Sequence, residues 1–374
     1  MLLELTNIRS GAIVDHTFGK ESADSIEIPI CGIADAEALI RIDGIPARRG
    51  GKEFRGTACL RKKVSQVTVS YSGQEGEVTQ VITLLWDRQA FKRYNFAIDD
   101  NVFFLNEIAR DRPERLFDHF YLAGLKAIHE KYGTLFTLNC FYRNSRTGFE
   151  MKEFPTCYKT EFEENADWLR LAFHAYEEFP DYPYKFVSPE KLLADYDLVS
   201  SEIVRFAGEK SLIAPANLHW GMALPHALTA LSAHGMKVNT GSFIMSDPEW
   251  VDGDRPVRIC DVGLNCDRDV AEYVDSHLAY YDRMHDTIFA IDGVICNLTP
   301  LERIVPEMDR VFMNNPYYNT AIGLLTHEQY TFPGYQCYLP DHFQRIEKAV
   351  AYATERGYKP VFFAEGLMGN TAWK

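Results

Sequence analysis

The sequence predicts an α/β protein, a (β/α) barrel preceded by a small all-β sandwich. Three observations carry this expectation. Residues 1–90 read as short alternating runs separated by turns. From residue 91 strand-like runs alternate with amphipathic helices that end in glycine. The length of 374 residues exceeds what one core usually fills, so two units are expected, 1–90 and 91–374.

In the first region the runs are Ser25 to Ile30, Ala38 to Ile42, Val67 to Tyr71 and Thr79 to Leu85, with turns at Asp43-Gly44 and Arg49-Gly50-Gly51. Alternation at period two with regular turns predicts strands of a sandwich. No site-like cluster occurs there, which favours a structural or carbohydrate-facing accessory domain.

In the second region, Pro113 to Tyr132 places Leu116, Phe117, Phe120, Leu122, Leu125 and Ile128 at helical spacing, with Gly133 as a stop. A strand follows at Leu135 to Leu138. Ser188-Pro189-Glu190 predicts a helix start with Ser188 as N-cap, and the helix ends at Ala207 before Gly208. Further helices are expected at Pro225 to Ala233, before Gly235, and at Asp341 to Arg356, before Gly357. The last leads into Val361 to Ala364. Repeated strand–helix–Gly–strand units predict a parallel sheet, closed or partly closed as a barrel. Residues 247–297 read as an irregular insertion plus late barrel elements.

The charge excludes some functions. With 39 Lys and Arg against 53 Asp and Glu, the net charge is −14, and no basic face for nucleic acid is expected. No run is apolar and long enough to span a membrane. The opening Met1-Leu2-Leu3-Glu4-Leu5 is too short and acidic for a signal peptide, so the chain as read is expected in the cytoplasm; a leader already removed would leave no trace. The eight cysteines are scattered, and Cys260 and Cys266, the closest pair, lack zinc-ribbon spacing, so buried thiols in a reducing compartment are expected. Oligomeric state is not legible.

In a barrel, reactive side chains follow the strands. Asp99 and Asp100 end the run from Tyr94. One carboxylate can ligate a metal while the other takes a proton from bound water; a solvated Asp-Asp-Asn turn is the plain alternative. His174 ends the run from Trp168, with Glu178 four residues on, and on a helical turn the two point the same way; a buried structural His with a surface Glu is the alternative. His327 ends the run from Ile322 and can act as general acid, or be a core histidine bonded to backbone. It does not belong to a zincin helix, because position 331 is Thr. The stretch Ala214 to Gly221 offers Asn217, His219 and Trp220 for a sugar, although Trp is also ordinary core. Phe179 to Tyr184 and Asn314 to Tyr318 are loop-like candidates for a cleft rim, which turn structure explains equally well.

Taken in order, these motifs over residues 90–370 resemble the polysaccharide deacetylase family, whose barrel belongs to a glycoside hydrolase/deacetylase superfamily and has a distorted seven-stranded form. The resemblance implies Asp99 as base and Asp100, His174 and Glu178 as ligands of a divalent metal, with Glu178 where the family has a second histidine. It implies His327 as the acid that protonates the leaving group. The family's groove arginine has no counterpart in Ala214 to Gly221. Zinc is the implied metal, and with two carboxylates manganese, iron or cobalt also suit. The implied reaction is acyl removal from an N- or O-acylated carbohydrate or small molecule. Glu328 is a further candidate for orienting His327 or touching substrate, from adjacency alone. Two other readings stay open: a glycosidase using Asp99 and Glu328, which would need the two acids across a sugar cleft, and a non-catalytic carbohydrate-binding protein on a decayed barrel.

Overall fold

The computed structural model describes residues 2–74, 76–221, 223–241, 251–252, 255–256, 268–313 and 317–373. Cys260, Cys266, much of the expected insertion and Asn314 to Pro316 lie outside the described residues. The chain divides into two compact units. One holds Met1–Ala90, Ala279–Met284 and Asn370–Lys374; the other holds Phe91–Leu278 and His285–Gly369.

The first unit contains two five-stranded sheets. One runs Leu3–Leu5, Ile26–Ala34, Glu53–Leu60, Arg48–Gly50, with Lys20–Glu21 also pairing Ile26–Ala34. The other runs Ile13–Val14, Gly76–Trp86, Val64–Gly73, Leu39–Ile42, Ile45–Pro46. Alternation places Ile26, Ile28 and Ile30 inside with Glu27 exposed, and likewise buries Val67, Val69 and Tyr71. At Asp43-Gly44 both residues have positive φ, +48° and +82°, as a two-residue hairpin turn requires. The C-terminal segment completes this unit. Trp373 packs edge-on against the buried Trp86 at 5.1 Å and donates from Nε1 to its carbonyl, while Asn370 Nδ2 donates to Asp87 Oδ1 at 2.7 Å.

The second unit is built on parallel strands: β1 (Arg93–Asn101), β2 (Phe136–Phe141), β3 (Leu169–Ala175), β4 (Val238–Gly241), β5 (Thr287–Ile295) and β6 (Ala321–His327). Their spatial order is β3-β2-β1-β6-β5-β4. β1 is central and buried along its whole length, as a strand covered on both faces must be. The segment 212–217 reaches both outer strands. Ile213 N donates to Leu171 O on β3 at 3.0 Å, and Thr240 N on β4 donates to Ala216 O at 2.6 Å.

Helices α1 (Phe103–Asp111), α2 (Phe120–Tyr132), α3 (Pro189–Ala207), α4 (Pro225–Ala233) and α5 (His342–Glu355) fall between or after these strands. Ser188 Oγ caps α3 by accepting from Lys191 N, and Gly133 ends α2 at φ +70°. The helix expected from Pro113 is broken. Leu116–Asp118 is a short 3-10 turn, and extended backbone at His119 separates it from α2. Asp118 Oδ2 closes that turn by accepting from Arg115 N at 3.0 Å. No strand forms at Val361 to Ala364; Lys359–Pro360 pairs with β1, and Val361 N donates to Tyr94 O at 2.9 Å. Among the described residues the cysteines are free thiols, and no helix is long and apolar enough to cross a membrane.

Candidate metal centre

The site forms where β1 ends. Neighbouring residues of a regular strand face opposite sides, yet Asp99 and Asp100 line the same cavity. The reason is an irregularity in the β1–β2 pairing between Ile98 and Asn101, where Asp100 takes φ +63°. Left-handed backbone is uncommon outside glycine, although Asp tolerates it better than most, and it concentrates at functional sites.

Asp99 is gripped by two amides. Asn139 Nδ2 on β2 donates to Oδ1 at 2.7 Å, and Asn217 Nδ2 donates to Oδ2 at 2.6 Å. Beside it, Asp100 Oδ1 lies 3.2 Å from His174 Nε2 and 3.3 Å from His219 Nδ1; the two ring nitrogens are 3.3 Å apart. All three residues are buried.

Proton counting defines this triangle. His219 Nε2 faces the carbonyl of Glu178 at 3.0 Å, and His174 Nδ1 faces that of Asn217 at 3.5 Å. A carbonyl only accepts, so a neutral His219 carries its proton on Nε2 and turns a bare Nδ1 inward. Three acceptor atoms then converge with at most one proton among them. A cation relieves that. Donors about 2.0–2.1 Å from a tetrahedral ion sit roughly 3.4 Å apart, close to the edges found here. The outer N–H···O=C bonds are those expected behind metal-bound imidazoles. The residues therefore fit a divalent metal.

The electrostatics agree. Burial pushes His174 down to about 4, which keeps it neutral at pH 7. Burial opposes charge on Asp100, but a ring N–H of His174 or His219 turned toward it outweighs burial and holds the carboxyl well below the usual range. Burial and then the Asp100 charge hold Asp99 well above that range, against the Asn139 hydrogen bond. Two adjacent carboxyls are thus driven apart, the pattern that separates a ligand from a base.

A cavity of about 380 Å³ opens on these groups and is also lined by Glu178, Phe179, Asp292, Asn297, Leu298, His327, Gln329 and Tyr330. His327 follows Thr326 at the end of β6, and its Nδ1 lies 2.9 Å from Asn297 Oδ1. Burial lowers its basicity. Trp220, at φ +62°, packs against Tyr182 at 4.6 Å, and Phe179 and Asp181 stand on the wall, so this part of the tyrosine-rich loop reaches the cavity. Tyr317 instead stacks on His277, and Tyr318 accepts from Arg93 Nη2.

Three expectations need correction. The structure puts His219, not Glu178, third in the triangle. The helical i, i+4 argument for Glu178 fails because His174 ends a strand; the Glu178 carboxylate lies 3.5 Å from Arg146, and only its carbonyl serves the cluster, through His219. Glu328 neither orients His327 nor faces a sugar. It is fully buried, and its carboxylate accepts from the N–H groups of Val102, Phe103 and Phe104 at 2.7–2.8 Å, which caps α1. Asn217, read as a sugar contact, holds Asp99. Asn139 and Asn297 were not singled out at all. His219 is among the sugar candidates of Ala214 to Gly221, but no spacing there marks it as a metal ligand.

No family model matches the chain, and no curated protein matches it. Solved structures that align with it include a peptidoglycan N-acetylglucosamine deacetylase in complex with an N-hydroxybenzamide (10% identity, 72% of this chain and 85% of that one, TM-score 0.34). A candidate alpha-galactosidase from Bacteroides fragilis aligns at 11% identity over 94% of this chain and 79% of that one, with TM-score 0.28. A Bacteroides ovatus xyloglucanase bound to a heptasaccharide aligns at 15% over 62% and 51%, with TM-score 0.18. At these scores the likenesses carry no argument here.

Proposed function

We propose that the chain is a metal-dependent hydrolase that removes an acyl group from an N- or O-acylated carbohydrate, as in the polysaccharide deacetylases its motifs resemble. The observation that carries this reading is the triangle of Asp100 Oδ1, His174 Nε2 and His219 Nδ1, set beside Asp99 and on the same cavity as His327. Asp99 and His174 approach to 3.8 Å.

The three residues would hold a divalent metal, and two imidazoles with one carboxylate favour zinc. Such an ion supplies Lewis acidity and an acidified water. Asp99 would serve as the base toward such a water, a role its raised basicity suits, and Asn139 and Asn217 keep its two oxygens in place. His327 holds one proton on Nδ1 against Asn297 and exchanges the other at Nε2 with the departing amine or alcohol. Phe179, Trp220 and Tyr330 give the cavity apolar wall for a sugar face. In this reading the parallel strands form a barrel closed through segment 212–217. The first unit is then a sandwich serving as accessory domain to the catalytic residues 91–374. The glycosidase reading loses Glu328 as its second acid, because that carboxylate is committed to α1.

The test is metal content with acetate release from N- and O-acetylated oligosaccharides. Wild type should hold about one zinc per chain; His219→Ala should lose both metal and turnover, and Glu178→Gln should keep the metal. Stoichiometric metal in His219→Ala, or none in wild type grown with zinc, would sink the assignment.

A further inference from the structure

Behind the cavity wall a second buried histidine is tied to His327. His342 opens α5 and is 1% exposed. Its Nδ1 lies 2.6 Å from Thr331 Oγ1, and its Nε2 lies 2.6 Å from Thr326 Oγ1. Thr326 Oγ1 is 3.2 Å from Asn297 Oδ1, which is 2.9 Å from His327 Nδ1. Five side chains thus form one hydrogen-bonded line from the cavity to the start of α5.

We propose that His342 is a positioning residue for His327: through Thr326 and Asn297 it keeps the His327 proton on Nδ1 and leaves Nε2 as the atom that exchanges protons in the cavity. The consequence for catalysis rests on the hydrolase reading; the tautomer assignment does not.

The direction of each bond follows from the next. An amide oxygen only accepts, so His327 Nδ1 donates to Asn297 Oδ1, and the Thr326 hydroxyl donates its single hydrogen to the same oxygen. Thr326 Oγ1 must then accept from His342 Nε2–H. Burial, and then the neighbouring His327, push His342 down to about 3, so it is neutral at pH 7. Its Nδ1 is therefore bare and accepts from Thr331. Each hydrogen along the line from Thr331 to His327 finds an acceptor; Asn297 Nδ2 is buried without a partner among the described residues. If His342 carried its proton on Nδ1 instead, the Thr326 hydrogen would turn toward His342. Two oxygens would then face each other between Thr326 and Asn297. Rotating the Asn297 amide would relieve this, and its NH₂ would then oppose His327 Nδ1 and drive the His327 proton to Nε2. The two histidines therefore share one tautomer choice. The backbone of this relay is pinned: Arg345 Nη1 donates to the carbonyls of Asn297 at 3.3 Å and Thr299 at 3.1 Å, and its Nε pairs with Asp341 at 3.0 Å.

The test is ring-¹⁵N NMR of the histidine-labelled protein, with the His327 signals assigned by their loss in His327→Gln. Wild type and Thr326→Ser, which keeps the hydroxyl, should show the Nδ1–H form of His327. Thr326→Val, which keeps the shape without the hydroxyl, and His342→Gln should each shift the ratio toward Nε2–H by roughly fivefold, as expected for one lost buried hydrogen bond. An unchanged His327 in Thr326→Val overturns the proposal, as does a wild-type His327 protonated on Nε2. If His342→Gln does not fold, the Val and Ser pair at position 326 decides. Turnover has no part in this readout: a full tautomer response in a protein that releases no acetate counts against the hydrolase reading and for the coupling.

Discussion

Asp99 and His327 are directly paired residues on adjacent parallel strands, β1 and β6. The register of the sheet thus delivers the two proton-handling groups of the proposed reaction side by side, at strand ends and on one cavity. Neither placement depends on a loop.

Asp99→Asn should separate chemistry from metal binding. Its two oxygens accept from Asn139 and Asn217, so the metal triangle does not need its charge. Turnover should fall by roughly 10²–10⁴-fold, the usual worth of a positioned base, while metal analysis stays at the wild-type value. Unchanged acetate release would remove Asp99 as the base.

Chelation should destabilise the fold. A ligand at about 100 times its dissociation constant adds ~2.7 kcal/mol. EDTA should therefore lower Tm, zinc should restore it, and His219→Ala should show no response to either. A thermal scan of the three samples is the check.

Glu328→Ala should act on stability. It strips the acceptor from three N–H groups at the first turn of α1, two of them buried and one part-buried. Each orphaned donor costs roughly 1–3 kcal/mol where water cannot reach it, so a loss of ~3 kcal/mol or more is expected in urea unfolding. A variant as stable as wild type would show that the cap contributes little.

His342 should make the fold acid-sensitive. An unfolded histidine titrates near about 6.5, whereas the folded group is held down to about 3. Below about pH 6.5 the unfolded chain binds a proton that the folded chain refuses, so stability falls as pH drops toward 3, by up to ~1.4 kcal/mol per pH unit. In His342→Gln the decline between about pH 6.5 and 5 should be shallower, read from urea midpoints. An identical slope would refute the assignment.

Local chemistry made much of this fold legible. Ser188 and Gly208 bracket α3 as read, and the four alternating runs of the first unit are strands, three of them longer than expected. Asp99, Asp100, His174 and His327, each expected at the end of an apolar run, line one cavity. The remainder of the site depends on contacts between residues far apart in sequence. His219 meets Asp100 across 119 positions from a stretch without periodicity. Glu178 was misplaced by treating a strand end as a helical turn. Glu328 was misread because it opens a 3-10 turn after the strand, which turns its carboxylate to the start of α1. Asn139, Asn297 and His342 carry no local mark of their roles.

The pairing of Trp86 with Trp373 bears on how the chain is made. Synthesis proceeds from the N-terminus, and domains generally fold as they emerge. Here the first unit lacks part of its own core until Asn370 to Trp373 are made, because Trp373 follows the Trp86 it packs on by 287 positions. That unit must wait, with the flank of Trp86 uncovered, until the second unit has been synthesised.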